Sequence, residues 1–374
     1  MTTPYSTRRR TGRYITLLIL VAALAGGWSW FWFYASAKVE ATIDGWRARE
    51  AQAGRVYACG TQSISGFPFR FELNCDGVSA SFSGSQLPLE IKSRGVLVAA
   101  QVYQPTLLIS EFHGPLTVAN PGQPPDIVIN WKLAQSSLSG TPSEPERVSL
   151  AVDLPAVDRV TGGTQQALLR AKRIEIHGRI AGGSVHNHPV VEAVVRLNGA
   201  TAPELHPGAN TPVDAEISAV LTGLNDFSPK PWAARFREIQ AANGGIEIGQ
   251  ARMQQGDTIV VGAGSLSINA NGRLDGQLRL TVVGIEAFLA AIGAQQMVQT
   301  SPSMDKLSGM LDRLSPGLGG LARQQAGANI SAGINMLGEQ TTLEGKRAVT
   351  LPLRFTDGAI SLGPIPLGKA PPLF

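Results

Sequence analysis

Two closely spaced histidines form the pattern in this chain that comes nearest to metal chemistry. His186 and His188 would point to the same face of a strand, and paired imidazoles suit zinc or copper. His177 and His206 flank them in sequence. However, no cysteine or carboxylate joins them at ligand spacing, and residues 182–189 are rich in Gly, Asn and Pro, which favours an exposed loop. We therefore predict no metal site and no cofactor.

The motifs of common enzyme classes are missing from the sequence. It contains no Gly-x-x-x-x-Gly-Lys-Ser/Thr phosphate loop, and the nearest match to Gly-x-Ser-x-Gly, at Gly182–His186, ends in His. The pair Gly262 and Gly264 lacks the third glycine of a dinucleotide fingerprint. The sequence predicts a protein that is not an enzyme and has no catalytic residues. A metal-dependent hydrolase using His186 and His188 is the third function considered.

An aromatic alternation provides the candidate ligand-binding residues. Phe67, Phe69, Phe71 and Leu73 alternate with Pro68 and polar residues, which predicts a strand with one apolar face. That face either lines a groove for an apolar ligand or is the buried side of an ordinary sheet, and the alternation is compatible with both.

Arg70 and Glu72 lie on the polar side of the same predicted strand. Their functional interpretation is polar recognition at the edge of a groove. The structural interpretation, which we favour, is a cross-strand ion pair on the solvated side of the sheet.

The elements that must position these residues are mostly strands. Alternating apolar residues recur at short intervals, with Gly and Pro turns between them, through residues 78–154, 215–221, 246–283 and 349–362. Helical spacing predicts helices at Gln165–Lys172, Pro231–Asn243, Ile285–Ile292 and Met304–Leu314. Asn271-Gly272 predicts a two-residue hairpin turn. The fold class is therefore α+β: a large, curved, mostly antiparallel sheet with a few packing helices.

The amino-terminal segment predicts a single transmembrane helix. Residues 14–37 are uncharged, and about 20 apolar residues span a ~30 Å hydrocarbon core. The five Lys and Arg of residues 1–38 account for the net charge of +4, because 27 basic and 28 acidic residues remain after them. This balance argues against a nucleic-acid partner. Four arginines before the segment and Lys38 after it predict a cytoplasmic amino terminus.

A cleaved secretory signal is the alternative to an anchor. Ala35-Ser36-Ala37 fits a small-x-small cleavage site, but the apolar stretch is longer than the usual 7–15 residues. We favour the anchor. The predicted organisation is a basic tail (1–13), a transmembrane signal anchor (14–37) and an exported β-rich domain (38–374), with a weak sub-boundary near 141–147.

Cys59 and Cys75 are the two cysteines of the chain. In an exported protein an even pair predicts a disulfide, which here closes a loop of 15 intervening residues. A metal or redox site would need closer spacing or more ligands.

Motifs at the two ends of the chain resemble a known family. The segment from Cys59 through Ser65-Gly66-Phe67-Pro68-Phe69-Arg70-Phe71-Glu72 to Cys75, after a single anchor, resembles the start of the uncharacterised envelope-protein family called domain of unknown function 2125. The ending Leu351–Gly358 and Leu362–Gly368 is similar too. The resemblance implies a bacterial inner-membrane protein whose carboxy-terminal domain is periplasmic. It implies no activity.

The anchor followed by sheet-rich sequence also looks, at the level of fold alone, like the AsmA-type envelope proteins. We expect the protein to bind or transport an apolar ligand, a lipid or acyl chain, in cell-envelope maintenance. The alternative is a structural or assembly protein of the envelope with a filled core. The expected partners are inner-membrane lipid and an envelope protein of unknown identity.

Overall fold

The computed structural model describes residues 11–83, 88–140, 144–204, 207–228, 230–293, 338–363 and 365–374. The first element is helix α1 (Thr11–Gln52), and its segment Arg13–Gln52 is long and apolar enough to cross a membrane. The helix ends where Gly54 adopts a left-handed conformation and donates its N–H to the Ala51 carbonyl at 3.0 Å. The helix therefore continues well past the apolar stretch.

Nineteen strands follow within the described residues. In chain order the first ten are β1 (Arg55–Ser65), β2 (Arg70–Phe82), β3 (Leu89–Gln101), β4 (Gln104–Ala119), β5 (Ile127–Asn130), β6 (Leu133–Ser139), β7 (Arg147–Asp153), β8 (Ala156–Thr161), β9 (Thr164–Arg170) and β10 (Arg173–Ser184). The rest are β11 (Asn187–Ala200), β12 (Val213–Leu221), β13 (Gly245–Gln255), β14 (Thr258–Ile268), β15 (Leu274–Val283), β16 (Glu339–Leu343), β17 (Lys346–Thr356), β18 (Ala359–Leu362) and β19 (Ile365–Lys369). Helices α2 (Trp232–Ala241) and α3 (Ile285–Ala291) and a 3₁₀ turn (Pro207–Asn210) complete the described elements.

The strands form one open antiparallel sheet. Its main ladder runs β1-β2-β3-β4-β6-β7-β10-β11-β12-β13-β14-β15-β17-β18-β19. Strand β4 is shared, because Leu107–Phe112 pair with β6 while Leu116–Val118 pair with β5, which leads to β8 and β9. Strand β16 pairs with β17. The large antiparallel sheet predicted from the alternation is confirmed.

The register of the ladder separates an apolar face from a charged face. Directly opposed residues share a face, and two rows of opposed residues are apolar from β2 to the carboxy-terminal strands. The inner row comprises Phe71, Ala100, Leu108, Leu138, Val148, Gly178, Ala193, Ala219, Ile248, Gly264, Leu278, Leu353 and Leu362. The outer row comprises Cys75, Val96, Phe112, Ala134, Val152, Ile174, Leu197, Ala215, Met253, Val260, Val282 and Val349.

The other face carries ion pairs that join neighbouring strands. Arg173 Nη1 lies 2.6 Å from Asp153 Oδ1, and Arg196 Nε lies 3.1 Å from Glu216 Oε2. Because these side chains are partly exposed, each pair contributes about 0–1 kcal/mol. The charged face is therefore a solvated surface, and the apolar face holds the side chains that need cover.

Helix α3 covers the carboxy-terminal part of the apolar face. Its Ile285 and Leu289 pack against a buried cluster on β14, β15, β17, β18 and β19. In this cluster Val282 is 1% exposed. Val148, on the same face of β7, is 47% exposed. The apolar face is thus filled at one end and partly open in its middle.

Two local predictions were wrong and two were confirmed. Gln165–Lys172 does not form a helix, because β9 pairs along its length with β8 across a Gly162-Gly163 turn. Asn271-Gly272 lies in a longer loop, since the last paired residues of β14 and β15 are Ile268 and Leu274. Helices α2 and α3 form where predicted. The predicted helix at Met304–Leu314 lies outside the described residues.

The segment near 141–147 connects two paired strands. Strands β6 and β7 are antiparallel neighbours, with Ser139 opposite Arg147. The chain therefore reverses here within one sheet. Residues 141–143 themselves lie outside the described residues.

Candidate apolar binding face

A cavity of about 670 Å³ lies where the open part of the apolar face reaches the β10–β11 turn. Its sheet side is lined by Leu138, Val148, Gly178, Ile180 and Val191, from strands β6, β7, β10 and β11. This volume lies within the ~300–1,000 Å³ of typical small-molecule sites, which are mostly apolar. Glu146, Arg147 and Arg179 also line the cavity, so charged side chains border its apolar floor.

Gly178 leaves space in the cavity because it has no side chain. It lies in the middle of β10, opposite Val148 on one side and Ala193 on the other. A Cβ placed on Gly178 would meet Val148 Cγ1 at 3.3 Å. A glycine inside a strand commonly marks a place where another group must approach closely, and here the space above it belongs to the cavity.

A loop between β12 and α2 forms the other wall. The cavity is lined there by Asp226, Phe227 and Ser228. The loop is joined to the β10–β11 turn by two backbone hydrogen bonds, in which His188 N–H donates to the Asn225 carbonyl at 2.9 Å and Phe227 N–H donates to the Val185 carbonyl at 3.0 Å. These two bonds join the wall to the β10–β11 turn.

An ionic network fixes the base of this loop. Glu238 of α2 accepts hydrogen bonds from Asn225 N–H at 2.6 Å and Lys230 Nζ at 2.7 Å, and Arg235 Nη1 donates to its carboxylate at 2.8 Å. Burial raises the pKa of Glu238, but these three donors outweigh it and hold the pKa below its ordinary value. Hydrogen bonds from Ser228 and Lys230 lower the pKa of Asp226 well below its usual range. The network is therefore ionised at neutral pH.

The four candidate residues do not form one strand face. The chain turns at Phe67–Phe69, and β2 begins only at Arg70, so Phe71 and Leu73 lie on the strand while Phe67 and Phe69 belong to the β1–β2 turn. The predicted strand over Phe67–Leu73 is thus wrong in its first half. Phe71 is the first residue of the inner row that runs to Val148 at the cavity.

The aromatic residues of this turn contact α1. Phe71 stacks on Trp32 with ring centroids 5.5 Å apart, and Phe67 meets the edge of the same indole at 5.5 Å. Phe67 also stacks on Phe33 at 5.9 Å. Sequence reasoning weighed only a groove or a core, and the structure shows contact with the helix instead.

The polar candidates have structural partners. Arg70 Nε lies 2.8 Å from Glu72 Oε1, so the two side chains form an ion pair along one strand. The predicted cross-strand geometry is wrong. His186 is in the β10–β11 turn and lines the cavity, whereas His188 is the second residue of β11. His177 Nδ1 lies 2.9 Å from Ser149 Oγ on the charged face. Within the described ranges no three His, Cys, Asp or Glu residues group as metal ligands, and His206 lies outside those ranges.

The predicted disulfide is present. Cys59 and Cys75 are joined with an S–S distance of 2.05 Å and a Cα–Cα distance of 5.7 Å. The bond joins the edge strand β1 to β2, and Cys75 is buried on the apolar face.

Sequence reasoning missed the residues that line the cavity. Val148 comes from β7, Ile180 and Val191 come from the β10–β11 hairpin, and Phe227 comes from a loop. The glycine within the β10 alternation, Gly178, was the one local signal that could have indicated them.

Comparison with known proteins gives one family and no described relative. A family model described as an uncharacterized protein conserved in bacteria (DUF2125) matches residues 32–371. A search of curated proteins gives no match.

Proposed function

The chain belongs to the DUF2125 family of bacterial proteins, and from that premise we propose that it is a membrane-anchored protein that binds or transports a lipid or acyl chain in cell-envelope maintenance. Helix α1 is the proposed single-pass anchor in the inner membrane, with its amino terminus cytoplasmic and the sheet periplasmic. The proposal is of a binding protein without enzymatic activity and without a nucleic-acid partner.

One observation carries this proposal: the apolar inner row leads from Phe71, beside α1, to the partly open cavity at Val148. An acyl chain gains free energy from apolar contact alone, at about 25 cal/mol per Å² removed from water. The floor of the cavity, lined by Leu, Val and Gly, offers such contact, and the charged residues that also line the cavity could meet the polar end of a lipid.

The test is photo-crosslinking in a membrane. Full-length protein is reconstituted in vesicles of phosphatidylcholine and phosphatidylglycerol that contain a phospholipid with a diazirine in one acyl chain, and adducts are mapped by peptide mass spectrometry. We expect adducts on peptides that contain residues 145–148, 178–191 and 226–228, besides those on α1. Adducts confined to α1 would refute lipid binding on the sheet and favour the filled-core assembly protein.

Two matched variants sharpen this test. Val148→Lys places an ammonium on the floor of the cavity, and covering that charge with an acyl chain costs several kcal/mol, so we expect at least about a tenfold loss of cavity adducts. Ser149→Lys adds the same charge to the next residue, on the charged face, and should leave the adducts unchanged. Because both variants keep α1, lipid bound around the anchor serves as an internal reference.

A further inference from the structure

The β1–β2 turn is hydrogen-bonded to the apolar helix. Trp28 Nε1 donates to the Pro68 carbonyl at 2.9 Å, and Trp32 Nε1 donates to the Arg70 carbonyl at 3.1 Å. Trp32 is itself buried against the turn. The height of the turn along α1 is therefore set by residues 28–32.

Helix geometry places that height at a membrane boundary. Trp28 follows Arg13 by fifteen residues and Trp32 by nineteen, which at 1.5 Å per residue corresponds to about 22 and 28 Å. The hydrocarbon core is ~30 Å thick. With Arg13 at one boundary of the hydrocarbon core, the carbonyls of Pro68 and Arg70 lie at the opposite boundary or a few ångströms inside the core.

A second hairpin lies at the same level. Val102 N–H donates to the Phe69 carbonyl at 2.9 Å, and Gln101 pairs with Arg70. The β3–β4 turn therefore lies beside the β1–β2 turn, and its Tyr103 is 76% exposed. Phe69 and Phe67 are 66% and 50% exposed. Three large aromatic side chains thus project where the helix would leave the bilayer.

We propose that Phe67, Phe69 and Tyr103 form an aromatic rim that inserts into the headgroup boundary of the membrane that α1 crosses. Aromatic rings favour this layer because an apolar ring and a polar edge are both accommodated there. The rim contacts bilayer lipid, since the position of the turn along α1 leaves no layer of water between the turn and the membrane. This inference rests on the anchor of the proposed function and not on lipid binding in the cavity.

Site-directed spin labelling tests the rim in the full-length protein. Phe69→Cys and Tyr103→Cys are labelled separately in phosphatidylcholine and phosphatidylglycerol vesicles, and collisions with oxygen and with a water-soluble nickel chelate are measured. Both positions are exposed, so the substitutions remove little packing. We expect the ratio of oxygen to nickel accessibility to be several-fold higher at 69 and 103 than for the matched control Ser83→Cys, which follows the opposite end of β2.

The outcomes separate the rim from the anchor. Nickel accessibility at 69 and 103 equal to that at 83 would overturn the rim. A label at Leu18→Cys, on the exposed surface of α1, reports the anchor independently, because a water-accessible Leu18 would show that α1 does not span. Oxygen-rich environments at 18, 69 and 103 together support the rim.

Discussion

Two valines on the apolar face test whether its middle is open. Val282 on β15 is 1% exposed within the cluster under α3, whereas Val148 on β7 is 47% exposed beside the cavity. Both lie on internal strands of the same face, so the loss of intrinsic strand preference in Val282→Ala and Val148→Ala is closely matched. The difference between the two variants reports packing.

The expected losses differ because burial differs. Val282→Ala removes two fully buried carbons, about 1.6 kcal/mol at ~0.8 kcal/mol per carbon, and leaves a cavity that costs about 1 kcal/mol more. Val148→Ala removes the same carbons from a half-exposed position next to existing space, so we expect about 0.8 kcal/mol and no cavity cost. The predicted gap in the free energy of unfolding is about 1.5–2 kcal/mol.

Urea unfolding of full-length protein in lipid nanodiscs, followed by far-ultraviolet circular dichroism, measures both values. Equal losses at Val148 and Val282 would refute the open middle. They would mean that the sheet is packed throughout, as expected of a structural or assembly protein. The comparison requires that the unfolding free energy has a similar slope against urea concentration in the wild type and both variants, since a changed slope reports a changed unfolded or native state.

Three further predictions concern the disulfide, the loop and the cavity floor. Replacing Cys59 and Cys75 by Ser should lower the free energy of unfolding by about 3 kcal/mol, and an unchanged urea midpoint would contradict this. Asp226 and Glu238 have lowered pKa values in the folded state, so the stabilisation that they give the loop is present at neutral pH and lost as pH falls. The backbone amides of residues 222–228 should therefore lose protection from hydrogen exchange only below about pH 4. Loss of that protection between pH 7 and 5 would show that these two carboxylates do not hold the loop. Gly178→Leu should raise the floor of the cavity and reduce the sheet adducts of the diazirine lipid, whereas unchanged labelling would place the ligand elsewhere.

Much of the fold was predictable from local pattern. Alternation predicted the strands, and helical spacing predicted α2 and α3, because each pattern depends on neighbours a few residues apart. The errors occurred where distant contacts decide. Residues 165–170 form a strand since β8 supplies an edge. The turn at Phe67–Phe69 is held against α1, because Trp28 and Trp32 donate hydrogen bonds to its carbonyls.

The candidate site was less predictable than the fold. Phe71 was identified as a site candidate, but the cavity residues Val148 and Gly178 were not. Alternation shows which residues share a face of their own strand. It does not show which strand lies opposite or what covers the face.

The sequence by itself determined a long apolar helix, a predominantly antiparallel sheet with one apolar face, and the pairing of Cys59 with Cys75. These follow from residue type, period and count, which act over short distances or need no geometry. Only the tertiary structure decided that the rows align from β2 to β17, that α3 covers one end while Val148 stays half exposed, and that the aromatic turn lies against α1. The physical reason is that burial depends on long-range partners, and one apolar residue in a strand can be packed in a core or left facing a cavity.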